Sequence, residues 1–308
     1  MAIHSGQTRK TRRQENLAGY LFCAPAMVLY LAIGLYTVVM SVVMSFYQWH
    51  VSFPQSKFVG FDNYRYVLFS KRVVSNLFYI AVSNNIKFAL ASIVTIIPIA
   101  LILAVLINSR KKAQTIFRTA YLIPMAVTGT AIFYMWKGIF LPEGLLNSLF
   151  DAIGLDALVV ADGWLGNVNT AFYGVLLTII WGGLPGAMIL YSAALAAVDE
   201  NLYEAADIDG ANSVQKLIHI TWPQVTPITI IILVMLINDS FKMFDNIFIM
   251  TNGGPADATQ VLGTVIYQRA FEQPQNEFGI ASAMGWLGFI LIIVFSLVSS
   301  KFLLKKGD

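Results

Sequence analysis

Six stretches of this chain are long and apolar enough to cross a bilayer as helices, and nothing else in the sequence constrains the fold as tightly. They are Leu17–Phe46, Ile80–Ile107, Tyr121–Ile139, Phe172–Ala194, Pro227–Met250 and Phe278–Leu303. About 20 apolar helical residues span a hydrocarbon core. Inside it no water serves the backbone N–H and C=O groups, so a spanning segment must close its own hydrogen bonds. Barrel strands would be shorter and would alternate apolar with polar residues; these runs do neither. The expected fold class is all-α: a polytopic membrane protein with six transmembrane helices over residues 17–303. A basic tail at 1–16 and a short tail at 304–308 flank it.

Composition agrees. Of 308 residues, 57% are hydrophobic and 12% charged, where a soluble domain carries roughly 25% charged residues. The net charge of +3 leaves no basic footprint for nucleic acid, so membrane lipid is the expected surrounding and nucleic acid is not a partner. The single cysteine, Cys23, excludes an intrachain disulfide; in an apolar run it reads as a small packing residue. The first apolar run exceeds the 7–15 residues or so of a signal-peptide core, so the first span is expected to stay in the mature protein. Pro25, Pro98, Pro124 and Pro185 fall inside or near the ends of spans. Each removes a backbone bond and can kink its helix, which membrane helices tolerate.

Lysine and arginine set the orientation, because cytoplasmic loops are enriched in them. Arg9, Lys10, Arg12 and Arg13 sit in the first tail, Arg110, Lys111, Lys112 and Arg118 in the second loop, Lys216 in the fourth, and Lys301, Lys305 and Lys306 at the end. Fewer basic residues, Lys57, Arg65, Lys71, Arg72 and Arg269, lie on the opposite side. Both termini and the loop at 199–224 are thus expected in the cytoplasm. On the outer side, the run from Gly144 through Asn147 to Trp164 and Leu165 is either a short interfacial helix with Trp164 as its anchor or a plain loop.

The loop at 199–224 is polar, acidic and locally well specified. Asn201 can cap a helix, and Glu204 three residues on can reach back to the cap. Ala205 and Ala206 favour helix and carry no bulk. Gly210 suits a C′ position at positive φ. Asn212 or Ser213 can cap a second short helix to about His219, which Pro223 is expected to stop. The predicted form is helix, tight turn, helix, then membrane entry. Small alanines on an exposed helix leave room for a partner to approach closely.

These residues carry a resemblance. Glu204-Ala205-Ala206, Asp209-Gly210, Ile220 and Trp222-Pro223 are spaced as in the EAA loop of bacterial ABC importer permeases, with Trp222 in place of the usual leucine. Phe117-Arg118, Ile123-Pro124, Asn147, Trp164-Leu165, Trp181, Phe244-Asp245, Thr251-Asn252-Gly253-Gly254-Pro255 and Tyr267 extend it over nearly the whole chain. The Thr251–Pro255 motif after the fifth span resembles that of the larger permease subunit of maltose-type systems. The resemblance implies a type I importer permease that translocates a carbohydrate by alternating access. Its EAA loop would couple through Glu204, Ala205, Ala206, Asp209, Gly210, Ile220 and Pro223 to an ATPase subunit. The implied partners are a second, homologous permease in a heterodimer, two cytoplasmic ATPase subunits and an extracytoplasmic substrate-binding protein, all at a bacterial cytoplasmic membrane. No Gly-Lys dipeptide occurs, so the chain lacks the phosphate-cradling Gly-Lys-Ser/Thr of a Walker loop. No cofactor is expected here; ATP and Mg would belong to the ATPase partners, and this chain is not expected to be an enzyme.

Polar groups within spans are costly and therefore candidates for function. Asp239, Lys242 and Asn246 follow i, i+3, i+7 and are expected on one helix face, either as an Asp239–Lys242 pair that neutralises itself or as a cavity wall. By resemblance, the cargo pathway would use Met125, Gly129, Gly183, Gly186, Asp239, Ser240 and Met243, with Lys242 beside them. The aromatic and amide groups that hold maltose in the relative are mostly missing, so maltose specificity does not carry over. Gly182, Gly183 and Gly186 read either as room for a wider cargo or as a helix-packing motif. Asn84, Asn85 and Lys87 either face the cavity or reach the interface. His4, His50 and His219 show no metal-ligand spacing, and Glu204, Asp207 and Asp209 read as a solvated face. The competing function is an ion-coupled secondary transporter with Asp239 and Lys242 as its coupling site; the internal repeat such proteins usually show is not visible.

Overall fold

The structure, a computed structural model, describes residues 9–49, 56–70, 73–108, 125, 127–273 and 277–304. Five of its helices are long and apolar enough to cross a membrane: Asn16–Ser45, Asn76–Asn108, Ala171–Ala196, Ser213–Phe241 and Phe278–Ser299. Of the third expected span, Tyr121–Ile139, the helix Gly129–Ile139 is described, whereas residues 121–124 and 126 lie outside the described residues. So do Arg110, Lys111, Lys112, Phe117, Arg118, Ile123 and Pro124, together with His4, His50, Lys71, Arg72, Lys305 and Lys306.

The helices differ from expectation mainly at their ends. The first begins at Arg9, inside the expected tail, widens into a π-turn at Tyr30–Leu35 and ends at Ser45. Helix Val73–Asn108 runs 36 residues straight through Pro98, and Ala171–Ala196 runs through Pro185. The expected span Pro227–Met250 is two helices, Trp222–Phe241 and Asp245–Met250, with a break between them. Helix Asp62–Phe69 and the antiparallel pair Tyr47–Gln48 with Lys57–Phe58 were not anticipated. Asn63 fixes this corner: its Nδ2 donates to the carbonyls of Ser45 and Tyr47 at 2.8 and 2.9 Å. Gly279 lies beneath it, where a Cβ would collide with Tyr47 O.

Helix Val73–Asn108 is the hub, packing most extensively on Ala171–Ala196 and also on Trp222–Phe241. Lipid is as apolar as leucine, so close fit drives such contacts in place of the hydrophobic effect. Ala100 and Ala104, fully buried four residues apart, let the neighbours approach, and Met188, Tyr191, Val225 and Ile232 fill the seam. Buried Tyr191 hydrogen bonds Thr229 across it at 3.0 Å. Val67, Phe78, Phe241, Val265 and Met284 belong to a second cluster, and Phe88, Phe140, Val175, Met243 and Ile247 to a third. The first helix touches this bundle through its Tyr36–Ser45 end, against Phe278–Leu304. Trp286 Nε1 donates to Ser41 Oγ there at 3.2 Å. From Leu17 to Val39 its large apolar side chains point outward, as befits contact with lipid or another membrane subunit.

Candidate functional site

The loop at 199–224 folds as helix Glu200–Ile208, a turn at Gly210 and a second helix starting at Ser213. The N-cap is Asp199, whose side chain accepts from Asn201 N at 3.0 Å. Asn201 is already inside helix Glu200–Ile208, so the expected Asn201–Glu204 capping box does not form. Aspartate caps as well as asparagine, and Asp199 holds the extended backbone the position needs. Gly210 sits at φ +76°. Its N–H donates to Asp207 O at 3.1 Å and Ala211 N to Ala206 O at 2.9 Å, the paired bonds of a Schellman stop. Asn212 then caps the next helix reciprocally with Gln215, at 2.9 and 2.8 Å.

Pro223 does not stop that helix. Ser213–Lys216 passes through a π-turn at Leu217–Thr221 directly into Trp222–Phe241. The wider π-turn shifts the carbonyl ladder just where proline lacks a donor and its ring needs space. The two halves of the loop are locked by the Lys216–Asp207 ion pair and by Tyr203 Oη with Thr221 Oγ1 at 2.9 Å. Glu204, Ala205, Asp209, Gly210 and Pro223 are exposed, and Ala206 and Ile220 half-buried. Ile208 is 89% exposed, with Leu202, Val214 and Ile218 also outward. Behind the loop a crevice of about 490 Å³ is lined by Val105, Asn108, Leu195, Tyr203, Lys216 and Thr221. The loop thus faces the ends of the hub helix and of helix Ala171–Ala196. Among the described residues no acidic or histidine cluster could hold a metal.

The polar residues of the fifth expected span are arranged differently from the one-face reading. Helix Trp222–Phe241 ends with Lys242 as its C-cap, and Asn246 belongs to the next helix. Asp239 and Lys242 are exposed on the bundle surface, while Asn246 is buried. The ion pairs among the described residues do not include Asp239 with Lys242, although the two charges are near enough to interact. Met125 and Gly129 are exposed and Gly183 and Gly186 half-buried; Ser240 and Met243 are buried. Ser240 Oγ donates to Leu236 O at 2.7 Å, and Met243 packs among Phe88 and Ile247. The glycines split by role. A Cβ on Gly183 would lie 2.9 Å from Ile96, whereas Gly182 and Gly186 have open space around theirs.

Asn84 and Asn85 act chiefly as clamps. Both are buried. Asn85 Nδ2 donates to Ser240 O at 2.6 Å and its Oδ1 accepts from Leu262 N at 3.0 Å. Asn84 Nδ2 donates to Asp257 O and Gln260 O at 3.1 and 3.0 Å. Together they pin the segment 251–262 to the hub helix and satisfy a carbonyl that the helix end at Phe241 leaves free. Asn147 performs the same service for the 142–164 loop: its Nδ2 donates to Pro142 O and Val160 O, and its Oδ1 accepts from Val160 N and Trp164 Nε1, at 2.8 to 3.1 Å. Helix Leu145–Ala152 does form, but Trp164 is drawn inward to Asn147 and is not a free interfacial anchor.

A family described as "Binding-protein-dependent transport system inner membrane component" matches residues 96–304. The chain belongs to this family. Such permeases are transport components of the inner membrane, and the apolar helices are their membrane part. The chain is 35% identical to the probable ABC transporter permease protein YurN of Bacillus subtilis, over 94% of this chain and 97% of that one. It is 30% identical to the trehalose/maltose transport system permease MalF of Thermococcus litoralis, over 96% of each. To the arabinooligosaccharide permease AraP of Bacillus subtilis it is 31% identical, over 93% and 88%. Among solved structures, a chain of a bacterial ABC transporter that imports the acidic polysaccharide alginate superposes with a TM-score of 0.79 at 22% identity, covering 95% of this chain and 96% of that one. That likeness establishes the permease fold. The same kind of transporter has been solved with an alginate pentasaccharide-bound periplasmic protein.

Proposed function

We propose that this chain is the permease subunit of a carbohydrate ABC importer, in which the loop at 199–224 receives the movement of an ATPase. The observation that carries the reading is mechanical. Helix Glu200–Ile208 presents an exposed apolar and acidic face, and a closed turn joins it to a helix that runs unbroken from Ser213 to Phe241. A push on the short helix is transmitted through Gly210, the Asp207–Lys216 pair and Tyr203 to a spanning helix that bears Asp239. ATP and Mg would bind to two cytoplasmic ATPase subunits, whose closure favours one global state of the bundle over the other. A second, homologous permease would supply the other half of the pathway, and an extracytoplasmic binding protein the cargo. Both termini and the loop would face the cytoplasm of a bacterial cell. The carbohydrate class is supported by the relatives named for trehalose and maltose and for arabinooligosaccharides.

The test is a Glu204→Ala, Gly210→Val double variant in the assembled transporter. Co-purification of the ATPase subunits and sugar uptake into cells should both be lost, with the permease still present in the membrane. Retention of both would refute the coupling role.

A further inference from the structure

A groove of about 740 Å³ opens between the hub helix, the start of helix Ala171–Ala196 and the segment at 256–258. That volume is within the range of roughly 300–1,000 Å³ typical of small-molecule sites. Asn84, Lys87, Asn169, Phe172, Tyr173 and Asp257 line it. Lys87 precedes Asn108, the hub residue beside the loop crevice, by some 20 positions. At 1.5 Å per residue the groove therefore lies roughly 30 Å from the coupling loop, about one hydrocarbon thickness away. It is at the opposite mouth of the bundle, and neither the coupling loop nor the polar face at Asp239 includes it.

Its walls combine the elements that recognise a sugar. Phe172 is held by stacking on Phe88 at 4.4 Å, and Tyr173 packs edge-on against Phe172 at 5.6 Å. Tyr173 is itself 61% exposed, and no hydrogen bond among the described residues occupies its hydroxyl. An open ring of this kind offers an apolar face to the C–H side of a pyranose or furanose while its hydroxyl bonds outward. Lys87 Nζ approaches Asn84 Oδ1 at 3.4 Å. Asn84 is buried and its amide group is already fixed by two carbonyls, so the ammonium is oriented by a group that cannot swing away. Asp257 takes part in no ion pair among the described residues. An ammonium and a carboxylate on one groove, neither in an ion pair among the described residues, supply a donor and an acceptor for sugar hydroxyls. The backbone here is held at φ 46° for Ala256 and 61° for Asp257, a region non-glycine residues rarely adopt and one that clusters at ligand sites.

We infer that this groove is a receiving subsite for the oligosaccharide, occupied at the outer mouth before the cargo enters the pathway; the inference rests on the carbohydrate reading above. Tyr173 stacks on a sugar ring, and Lys87, Asn169 and Asp257 hold its hydroxyls.

The experiment uses the assembled complex in lipid nanodiscs. Exposed Cys23 is replaced by serine, and an environment-sensitive fluorophore is attached at Val168→Cys on the groove rim. Trehalose, maltose, arabinotriose and an alginate pentasaccharide are titrated in turn without binding protein, and their import by the complete system is measured in parallel. At least one imported sugar should give a saturable signal. Tyr173→Ala and Lys87→Met should each weaken it tenfold or more, and Tyr173→Phe, which keeps the ring, by no more than about threefold. Import of a sugar with no saturable signal overturns the groove and leaves the carbohydrate reading standing. A signal that Tyr173→Ala does not change also overturns it, and makes Tyr173 an interfacial ring. A complex that neither imports nor binds any of the four refutes both.

Discussion

Asn85 illustrates how a polar residue inside a membrane helix can be essential to architecture. Its amide bridges the Ser240 carbonyl and the Leu262 N–H, both buried, at 2.6 and 3.0 Å. Asn85→Ala would leave one carbonyl and one N–H without partners, at about 1–3 kcal/mol each. The expected outcome is a clear fall in the thermal midpoint of the detergent-purified protein, followed by size-exclusion fluorescence; an unchanged midpoint would show that water or lipid replaces the amide. The sequence marked Asn84 and Asn85 as costly and therefore meaningful, but not what they do. Their partners lie more than 150 positions further along the chain, and no local pattern reports a contact at that separation. Gly253 is similar: it sits at φ +86°, and a Cβ there would collide with the side chain of Gln260, a clash invisible in the motif itself.

At the scale of elements, the loop at 199–224 is the most legible part of the chain. Helix, turn and helix follow from short-range chemistry: a polar cap, alanines, a glycine at the stop, a second cap. The departures from expectation are local too. The cap falls two residues earlier, at Asp199, because aspartate caps as well as asparagine and both occur at the helix start. The helix passed Pro223 because a π-turn, which no propensity scale anticipates, accommodates the ring. Gly210→Ala should cost about 1–2 kcal/mol through its left-handed conformation. Amide hydrogen exchange at Gly210 and Ala211, whose N–H groups close the turn, should then accelerate roughly tenfold or more, while exchange within Trp222–Phe241 stays unchanged. Unchanged exchange at the turn would mean that the stop does not depend on glycine.

For the whole molecule, the telling feature is that Asp239 and Lys242, near the end of a long apolar helix, are both exposed on the bundle surface. A charge in a span is expensive unless it meets water or an opposite charge, and among the described residues Lys242 makes no contact ion pair. On the function proposed above, the face that bears them would wall a pathway completed by a second permease. Lys242→Met should abolish cargo uptake while the complex with its ATPase subunits still assembles, as read by co-purification. Normal uptake in that variant would remove Lys242 from the pathway. The aromatic contacts at the helix break, Phe244 with Tyr267 and Phe248 at 5.2 Å, hold this wall at a bend, so its shape depends on the segment beyond it.

The predominantly helical membrane architecture is legible along the chain, because a backbone in hydrocarbon has almost no alternative to the helix and apolar length is read directly from consecutive residues. So is the helix–turn–helix form of the loop at 199–224, whose caps and turn are made by residues within a few positions of one another. Where the fifth span breaks and which amides clamp the segment 251–262 emerge from the folded bundle alone. The same bundle shows that one glycine packs while its neighbours stand open, and that a groove forms at Tyr173. Each of these depends on groups brought together from distant parts of the chain, and their mutual distances are set by packing and not by the order of residues.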